Sequence, residues 1–250
     1  MPRSAFRRLA VQPLIDAVLA ALFPVAGGMA LAAALGGDPA GAAFGLLAAL
    51  AVTLLLILPA LAVGTALGTL AGAWAGLAPR SMAGLFGRLL GSAGPWLPGF
   101  LLAALTMLAV RSGASVAPLA WAALALPAAC QAARLARPAM DRALDSGTVR
   151  MAQGLGLDGR AVLRHYALPA AVLPVMGGFR NAVLAALTGA VVLENLLGLP
   201  GAGALLIDAA RGGSAAALPP LAGLCGLTAF LATLGMAARD WFDPLGRAVR

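Results

Sequence analysis

An apolar run from residue 43 to residue 76 constrains this chain more than any other feature. The run contains no charged side chain, and about 20 consecutive apolar residues are enough to cross a bilayer as a helix. Similar runs recur along the chain, in which 62% of the residues are hydrophobic and only 10% are charged. An ordinary soluble domain has about 25% charged residues. The sequence therefore predicts an all-α, polytopic membrane protein and excludes a large soluble enzyme.

Six transmembrane helices are predicted, one for each apolar run between polar segments. Their approximate bounds are 14–35, 43–76, 95–110, 116–133, 168–193 and 217–238. The second run is too long for one upright helix and contains Pro59. One long tilted helix and a tight hairpin of two helices both fit its length.

The distribution of arginine decides between these two topologies. All 17 basic residues are arginine, and positive charge collects on the cytoplasmic side of membrane proteins. With one helix over 43–76, fourteen arginines fall on one side, Arg111 and Arg211 fall on the other, and Arg180 stays within a span. A hairpin would move the arginine cluster at 134–164 outside. We therefore expect six spans with both termini in the cytoplasm, and we assign the net charge of +8 to the membrane rather than to nucleic acid.

The first segment has an alternative interpretation as a cleaved signal peptide, because arginines precede an apolar stretch that ends in small residues. That stretch is long for the apolar region of a signal peptide, and we interpret it as a membrane span. Residues 1–42 then form a cytoplasmic segment, the first span and a short outer loop. Residues 43–250 form the core domain.

The second span carries glycines at a strict spacing of four residues, Gly64, Gly68, Gly72 and Gly76. Such a stripe has no side chains to hold two helix backbones apart, and close packing of this kind drives helix association in lipid. We interpret the stripe as a helix-packing surface rather than a ligand site.

The longest polar stretch, from about Arg134 to Tyr166, is the one segment that reads as a structured element in water. Asp145 or Ser146 can cap a short helix over 148–155, and Asp158 can cap a second short helix over 159–166. Gly156 interrupts the two, and Pro169 either stops regular structure or begins the next span. Val149, Ala152 and Leu155 are expected on one side of the first helix. A short amphipathic helix between two spans suits docking into a groove of a cytoplasmic partner.

This stretch resembles the EAA loop of binding-protein-dependent ABC transporter permeases, whose pattern is E-A-A-x3-G-x9-I-x-L-P. Ala152, Gly156, Leu168 and Pro169 match at the correct spacing, while Arg150, Met151 and Tyr166 replace the family's Glu, first Ala and Ile. The peptide and nickel branch of the family often has a basic residue at the first position. The resemblance implies an ATPase-coupling loop over 145–169 with the candidate residues Arg150, Met151, Ala152, Gly156, Arg160, Leu168 and Pro169.

Two further motifs resemble the same branch and follow in the expected order. The sequence Gly189-Ala190-Val191-Val192-Leu193-Glu194 is followed by Pro200-Gly201-Ala202-Gly203, similar to the branch's G-A-V-V-x-E and P-G-x-G. The closing sequence Asp240-Trp241-Phe242-Asp243-Pro244-Leu245-Gly246-Arg247 is similar to its cytoplasmic tail. The resemblance covers roughly residues 45–250 and implies the six-helix type I architecture of ABC importer permeases.

The resemblance also implies a set of partners. Such a permease lies in the bacterial inner membrane as half of a translocation pathway, is expected to pair with a second permease as a heterodimer, and docks on cytoplasmic ATPase subunits. An extracytoplasmic binding protein delivers a small solute such as a peptide or a nickel chelate. The chain has no Gly-rich phosphate loop, so ATP hydrolysis is expected in a partner subunit. No enzyme activity, metal or cofactor is expected in the chain itself.

Glu194 and Arg180 are ionisable groups within or beside predicted spans, where such groups usually face protein or water. Glu194 is interpreted either as a pathway or gate residue, or as a carboxylate hydrogen-bonded to the glycine-rich turn after it. Arg180 could line the pathway or extend to the cytoplasmic interface. The turn at Pro200, Gly201 and Gly203 is interpreted as part of an outer gate, with a surface cap as the alternative.

Two other classes of membrane protein were weighed against the permease. A self-contained secondary transporter would need intramembrane carboxylates for ion coupling and usually has an internal repeat. Glu194 is the one candidate carboxylate, and no convincing repeat occurs. A membrane-embedded enzyme would need a nucleophile, an acid or base, or metal ligands at one depth. His165, Cys130 and Cys225 are instead scattered along the chain.

Overall fold

The computed structural model describes residues 3–34, 39–94, 97–212 and 214–242, and these ranges form helices without any strand. The helices are α1 Arg3–Ala34, α2 Pro39–Leu77, α3 Met82–Ala93, α4 Gly99–Arg111, α5 Val116–Leu144, α6 Gly147–Gly154, α7 Gly159–Val162, α8 Leu168–Leu197, α9 Ala202–Gly212 and α10 Ser214–Phe242. A π-helical turn, Leu163–Ala167, joins α7 to α8. The prediction of an all-α polytopic protein is confirmed.

Four helical stretches in the described residues are long and apolar enough to cross a membrane. They are Gly45–Leu77, Val116–Leu144, Gly159–Leu197 and Ala216–Asp240. Two shorter apolar stretches, Ile15–Ala30 and Gly99–Arg111, coincide with the first and third predicted spans. The count of six spans stays a prediction, because length and apolar composition alone support four.

The second apolar run forms one continuous helix, α2, rather than a hairpin. Pro59 lies inside it, and Ile57 and Leu61 on either side of the proline are completely buried in the main core. Transmembrane helices tolerate an internal proline because neighbouring elements compensate for the backbone groups that it frees. The packing of the residues on both sides of Pro59 is consistent with one helix that continues through the proline.

The four glycines of α2 lie against α5, the helix with which α2 makes its most extensive contacts. A methyl group added at Gly64, Gly68 or Gly72 would collide with the backbone of α5. The α5 residues that it would meet are Ala125, Ala129 and Ala133, respectively. Gly76 lies opposite Met140 and Asp141. Only residues without a side chain allow these two backbones to lie so close.

The fourth span was placed too short in the sequence analysis, because α5 continues from the predicted end at 133 to Leu144. Its extension keeps one apolar face, on which Ala136, Ala139, Met140 and Ala143 are buried. The residues recur with helical spacing. Ala139, Met140 and Ala143 pack against the short helices that follow, and Ala136 packs against Val175 of α8. Arginines on the opposite face made this segment resemble a loop in the sequence.

The sequence analysis did not predict α3. Ser81 caps this helix by accepting a hydrogen bond from the backbone N–H of Gly84, with 3.0 Å between the two heavy atoms. The face of α3 that is buried against α2 and α5 consists of glycines, Gly84, Gly87 and Gly91. Glycine lowers helix propensity, and this helix is stabilised by the close contacts of its glycines instead.

Candidate functional site

The predicted coupling loop begins with α6, which follows α5 after a single turn. Ser146 is the residue that caps α6, since its hydroxyl accepts a hydrogen bond from the backbone N–H of Val149 at 3.4 Å. Asp145, the alternative cap in the sequence analysis, instead ends α5. The serine therefore marks where the chain turns out of the long helix.

Gly156 terminates the first short helix with a left-handed backbone, at φ +76°. The turn is closed by backbone hydrogen bonds from Gly156 to Gln153 at 3.0 Å and from Leu157 to Ala152 at 3.3 Å. The space around its α-carbon is open. The glycine is therefore required by backbone conformation and not by crowding.

The apolar face of α6 is divided in a way that the sequence analysis did not predict. Val149 and Ala152 are buried against α5 and the second short helix. Leu155, expected on the same face, is 74% exposed, and Met151 is 64% exposed. Leu155 is therefore not buried with Val149 and Ala152 as predicted, because it lies at the C-cap position, beyond the last helical residue Gly154.

The second short helix is also different from its prediction. Asp158 occupies the N-cap position of α7 without a side-chain capping hydrogen bond, and α7 continues through the π-helical turn directly into α8. Pro169 lies in the first turn of α8, directly after the π-helical turn. It therefore begins the next span, which is one of the two roles predicted for it, and it does not stop regular structure.

The structure brings the candidate coupling residues together on one short stretch. Arg150, Met151, Gly156 and Arg160 are exposed, Ala152 is buried, and Leu168 and Pro169 are half-buried at the base. Val162, Ala167 and Ala171 join Val149 and Ala152 in one buried cluster. The stretch is thus fixed to its own subunit on one side and open on the other.

At the other end of α8, Gly198 ends the helix in a left-handed conformation with φ +66°. The backbone N–H of Leu199 returns to the carbonyl oxygen of Glu194 at 2.9 Å, and α9 begins three residues later at Ala202. The turn over Pro200 and Gly201 therefore folds the start of α9 back toward Glu194.

Glu194 is completely buried in this turn, which we call the outer turn after its predicted location. One carboxylate oxygen accepts a hydrogen bond from the backbone N–H of Gly203 at 2.8 Å, and the other accepts one from the hydroxyl of Thr53 at 2.7 Å. The Thr53 oxygen in turn accepts a hydrogen bond from the backbone N–H of Ala202 at 2.9 Å. Side chains from α2 and α8 thus satisfy two N–H groups at the start of α9, a position that favours negative charge.

Two glycines of the motif are needed for this arrangement. A methyl group at Gly201 would overlap the Glu194 carboxylate, and one at Gly203 would lie 2.5 Å from the α-carbon of Val191. Thr53 is the member of the network that sequence analysis missed. A threonine in an apolar helix commonly donates its hydroxyl hydrogen to a backbone carbonyl of the same helix. The sequence therefore does not indicate that Thr53 is a partner of Glu194.

Arg180 is exposed near the middle of α8 and is not near Glu194. Fourteen residues of helix separate them by about 21 Å at 1.5 Å per residue. Asn181, Leu184 and Thr188 are exposed on the same side of α8. Among the described residues, Arg180 has no ion pair. Together with Asn181 and Thr188, it forms a polar stripe along a membrane-spanning helix.

A cavity of about 690 Å³ lies beside this stripe, between α4, α5 and α8. Its polar lining includes Gln131, Arg134 and Thr188, and its apolar lining includes Phe100 and Val192. Gln131 also donates a hydrogen bond to the carbonyl oxygen of Gly178 at 3.0 Å, which ties α5 to α8 at that depth. In the described part of the chain, no group of three or more His, Cys, Asp or Glu side chains could hold a metal ion.

The third motif can be placed only in part. Asp240 lies in the last turns of α10, while Asp243 to Arg247 lie outside the described residues.

Comparisons with known proteins agree with the motifs. Residues 68–247 match the family described as binding-protein-dependent transport system inner membrane component. The chain is 36% identical over 88 residues to the oligopeptide transport system permease protein OppB of Escherichia coli (strain K12) and to that of Salmonella typhimurium (strain LT2). It is 36% identical over 78 residues to OppB of Haemophilus influenzae.

These matches cover part of each protein. The matched segment is 35% of this chain and 29% of the Escherichia coli and Salmonella relatives, and 31% and 26% for the Haemophilus protein. The family match is broader, since it extends from α2 through the coupling loop, the outer turn and α10. The chain belongs to the family of inner-membrane components of binding-protein-dependent transport systems.

Proposed function

We propose that this protein is one half of the membrane pathway of an ATP-driven importer for peptides or similarly small solutes, and that its loop 145–169 docks on a cytoplasmic ATPase. The single observation that carries the proposal is the exposure of Met151 and Leu155 on a loop whose other face is buried in its own subunit. Large apolar side chains on a water-facing loop are typical of a surface that a partner covers.

The attachment of the loop supports a mechanical role. Val149 and Ala152 pack against α5, while α7 continues without interruption into α8. A displacement of the loop by the ATPase would therefore be passed to two membrane-spanning helices as rigid elements. Movement of packed helices as units is a common way to switch a pathway between two states.

A second permease subunit completes the proposed pathway. The polar stripe with Arg180, Asn181 and Thr188 and the neighbouring cavity would face lipid in an isolated subunit, at a high energetic cost for the arginine. Pairing with a second permease, as a heterodimer, would turn both toward an aqueous passage. Arg180 then becomes a pathway residue in this proposal.

The outer turn is proposed as a gate segment that faces the binding protein. Its buried carboxylate holds α9 to α2 and α8, so the segment can move only as a unit with those helices. Specificity for peptides is proposed to reside mainly in the binding protein, because the side chains of the membrane helices outside the polar stripe are mostly Ala, Leu and Gly. Nickel chelates remain the alternative cargo in this proposal.

The coupling role is tested by Gly156→Val against a matched control, Gly154→Val. Both positions have open surroundings, and only Gly156 has a positive φ, which a β-branched residue tolerates poorly. We expect Gly156→Val to lose ATPase co-purification in mild detergent and transport in vesicles, while Gly154→Val retains both. Normal solute-stimulated ATP hydrolysis with Gly156→Val would reject the coupling role. Transport by the purified chain without an ATPase would favour a secondary transporter.

The orientation is tested by labelling single cysteines from outside the cell. Cys225 is exposed and Cys130 is buried, so both are first replaced by alanine. A cysteine at position 214 should react with a membrane-impermeant maleimide, and one at position 146 should be protected. The opposite pattern would reject the proposal that both termini are cytoplasmic.

A further inference from the structure

The outward face of α3 is strongly apolar, in contrast to the glycine face that packs on the bundle. Met82 is 82% exposed and Phe86 is 62% exposed, and Leu85 and Leu89 are exposed beside them. The helix has 12 residues, about 18 Å at 1.5 Å per residue, too short to cross a bilayer. In a membrane protein, a short helix with one large apolar face lies in the interface with that face toward the acyl chains.

Beside α3 lies a second cavity, of about 430 Å³, which is open on one side and lies between α3 and α5. It is lined by three arginines, Arg88, Arg134 and Arg137, and by one carboxylate, Asp141. Among the described residues, none of these four side chains forms an ion pair within 4.0 Å. The lining of the cavity therefore carries three positive charges and one negative charge.

Arg88 contributes an additional observation. Its Nε atom is buried and has no hydrogen-bond partner, the one such side-chain atom among the described residues. A buried donor without a partner costs about 1–3 kcal/mol, so the guanidinium group of Arg88 is not fully satisfied by the described residues. Guanidinium groups bind phosphate oxygens through several parallel hydrogen bonds.

We propose that this cavity binds the phosphate of an anionic phospholipid whose acyl chains lie along the exposed face of α3. The positive cavity and the apolar helix face are adjacent, which matches the two ends of such a lipid. Basic pockets between membrane-spanning helices on the cytoplasmic side bind anionic headgroups in this manner. The proposal rests on the arginine-rich side being cytoplasmic, and it does not depend on the cargo.

Free phosphate and a second protein are the other occupants to be distinguished. A free phosphate would use the arginines and leave the apolar face of α3 unexplained. A second permease could cover that face, but it would need to bring an anionic group to the cavity. A phospholipid supplies both requirements in one molecule.

The test uses the full chain in nanodiscs of phosphatidylcholine, with or without phosphatidylglycerol, followed by native mass spectrometry of the lipids that remain bound. We expect retained phosphatidylglycerol on the unmodified chain and about a tenfold loss of it in Arg88→Gln/Arg137→Gln. Arg142→Gln is the matched control, since this arginine is on the same helix as Arg137 and does not line the cavity. It should retain the lipid.

Three results would overturn the proposal. One is equal lipid retention by the double variant and the control, and another is a similar loss in both. The third is displacement of the lipid by inorganic phosphate alone. If the double variant does not fold, Arg137→Gln replaces it, because Arg137 is exposed and has no hydrogen bond among the described residues. Co-purification of the ATPase is measured in parallel, so that failure of the lipid site and failure of the coupling role are distinguishable.

Discussion

The two ends of α8 differ in whether their candidate functional side chains are covered by other parts of the chain. At the outer end, Glu194, Thr53 and the first N–H groups of α9 satisfy one another inside the subunit. At the coupling end, Val149 is buried while Met151 and Leu155 remain exposed. The outer turn is held by contacts within one chain, whereas the loop 145–169 carries large apolar side chains that no described residue covers. Mutations at the outer end should therefore change the stability of the isolated chain, and mutations at the coupling end should change binding.

The largest effect is expected from Glu194→Ala. The substitution leaves the N–H of Gly203 without a buried acceptor and removes the Thr53–Glu194 hydrogen bond, after which the Thr53 hydroxyl can donate only to the carbonyl oxygen of Ala49. A buried group left unsatisfied costs about 1–3 kcal/mol. A loss of about 3 kcal/mol should lower the melting temperature in detergent by roughly 10 °C. Glu194→Gln retains the volume and one acceptor and should lose less. Equal melting temperatures for the alanine variant and the unmodified chain would show that the outer turn is not held by this carboxylate.

A smaller loss is expected from Gly203→Ala, because the added methyl group meets the backbone of Val191. Such overpacking typically costs about 1–3 kcal/mol. Gly212→Ala is the control on the same helix, since nothing lies within 4 Å of that position. Limited proteolysis of α9 should be faster for Gly203→Ala alone. Equal cleavage of both variants would mean that α9 is not packed as closely as described.

Thr53→Val should have the next effect, about 1–2 kcal/mol, because it removes a donor to Glu194 and an acceptor for Ala202 while retaining the side-chain shape. The control is Thr69→Val, whose hydroxyl bonds only to the carbonyl of Thr65 in its own helix. Thermal unfolding should separate the two variants by several degrees. If they unfold together, Thr53 acts as an ordinary helix threonine and not as part of the outer network.

The smallest change in the stability of the isolated chain is expected from Leu155→Ala, within about 0.5 kcal/mol, because this side chain is exposed. Its affinity for the purified ATPase should nevertheless fall at least about tenfold, which corresponds to about 1.4 kcal/mol. Val149→Ala is the comparison, since its buried side chain should lower the melting temperature. Unchanged ATPase binding by Leu155→Ala would move the docking surface away from this residue.

The coupling loop shows what sequence patterns can and cannot predict. Gly156 was predicted as a turn and Ser146 as one of two alternative caps, from preferences that depend on a few neighbouring residues. Leu155 was grouped wrongly with Val149 and Ala152, because helical spacing does not show that the regular helix ends at Gly154. Pro169 begins the next span, as one of its two predicted roles, but the π-helical turn that joins α7 to α8 was not predicted.

The sequence by itself determined that the chain is an all-α membrane protein of the permease family, because apolar length, arginine distribution and motif spacing are properties of the chain alone. Only the tertiary structure decided that Thr53 is the partner of Glu194, 141 residues away, and that α3 covers a positive cavity. In a membrane, the lipid-facing and protein-facing sides of a helix are both apolar. The periodicity that reveals the core of a soluble protein therefore cannot show which helices meet, and the packing of backbones and buried polar groups makes that choice.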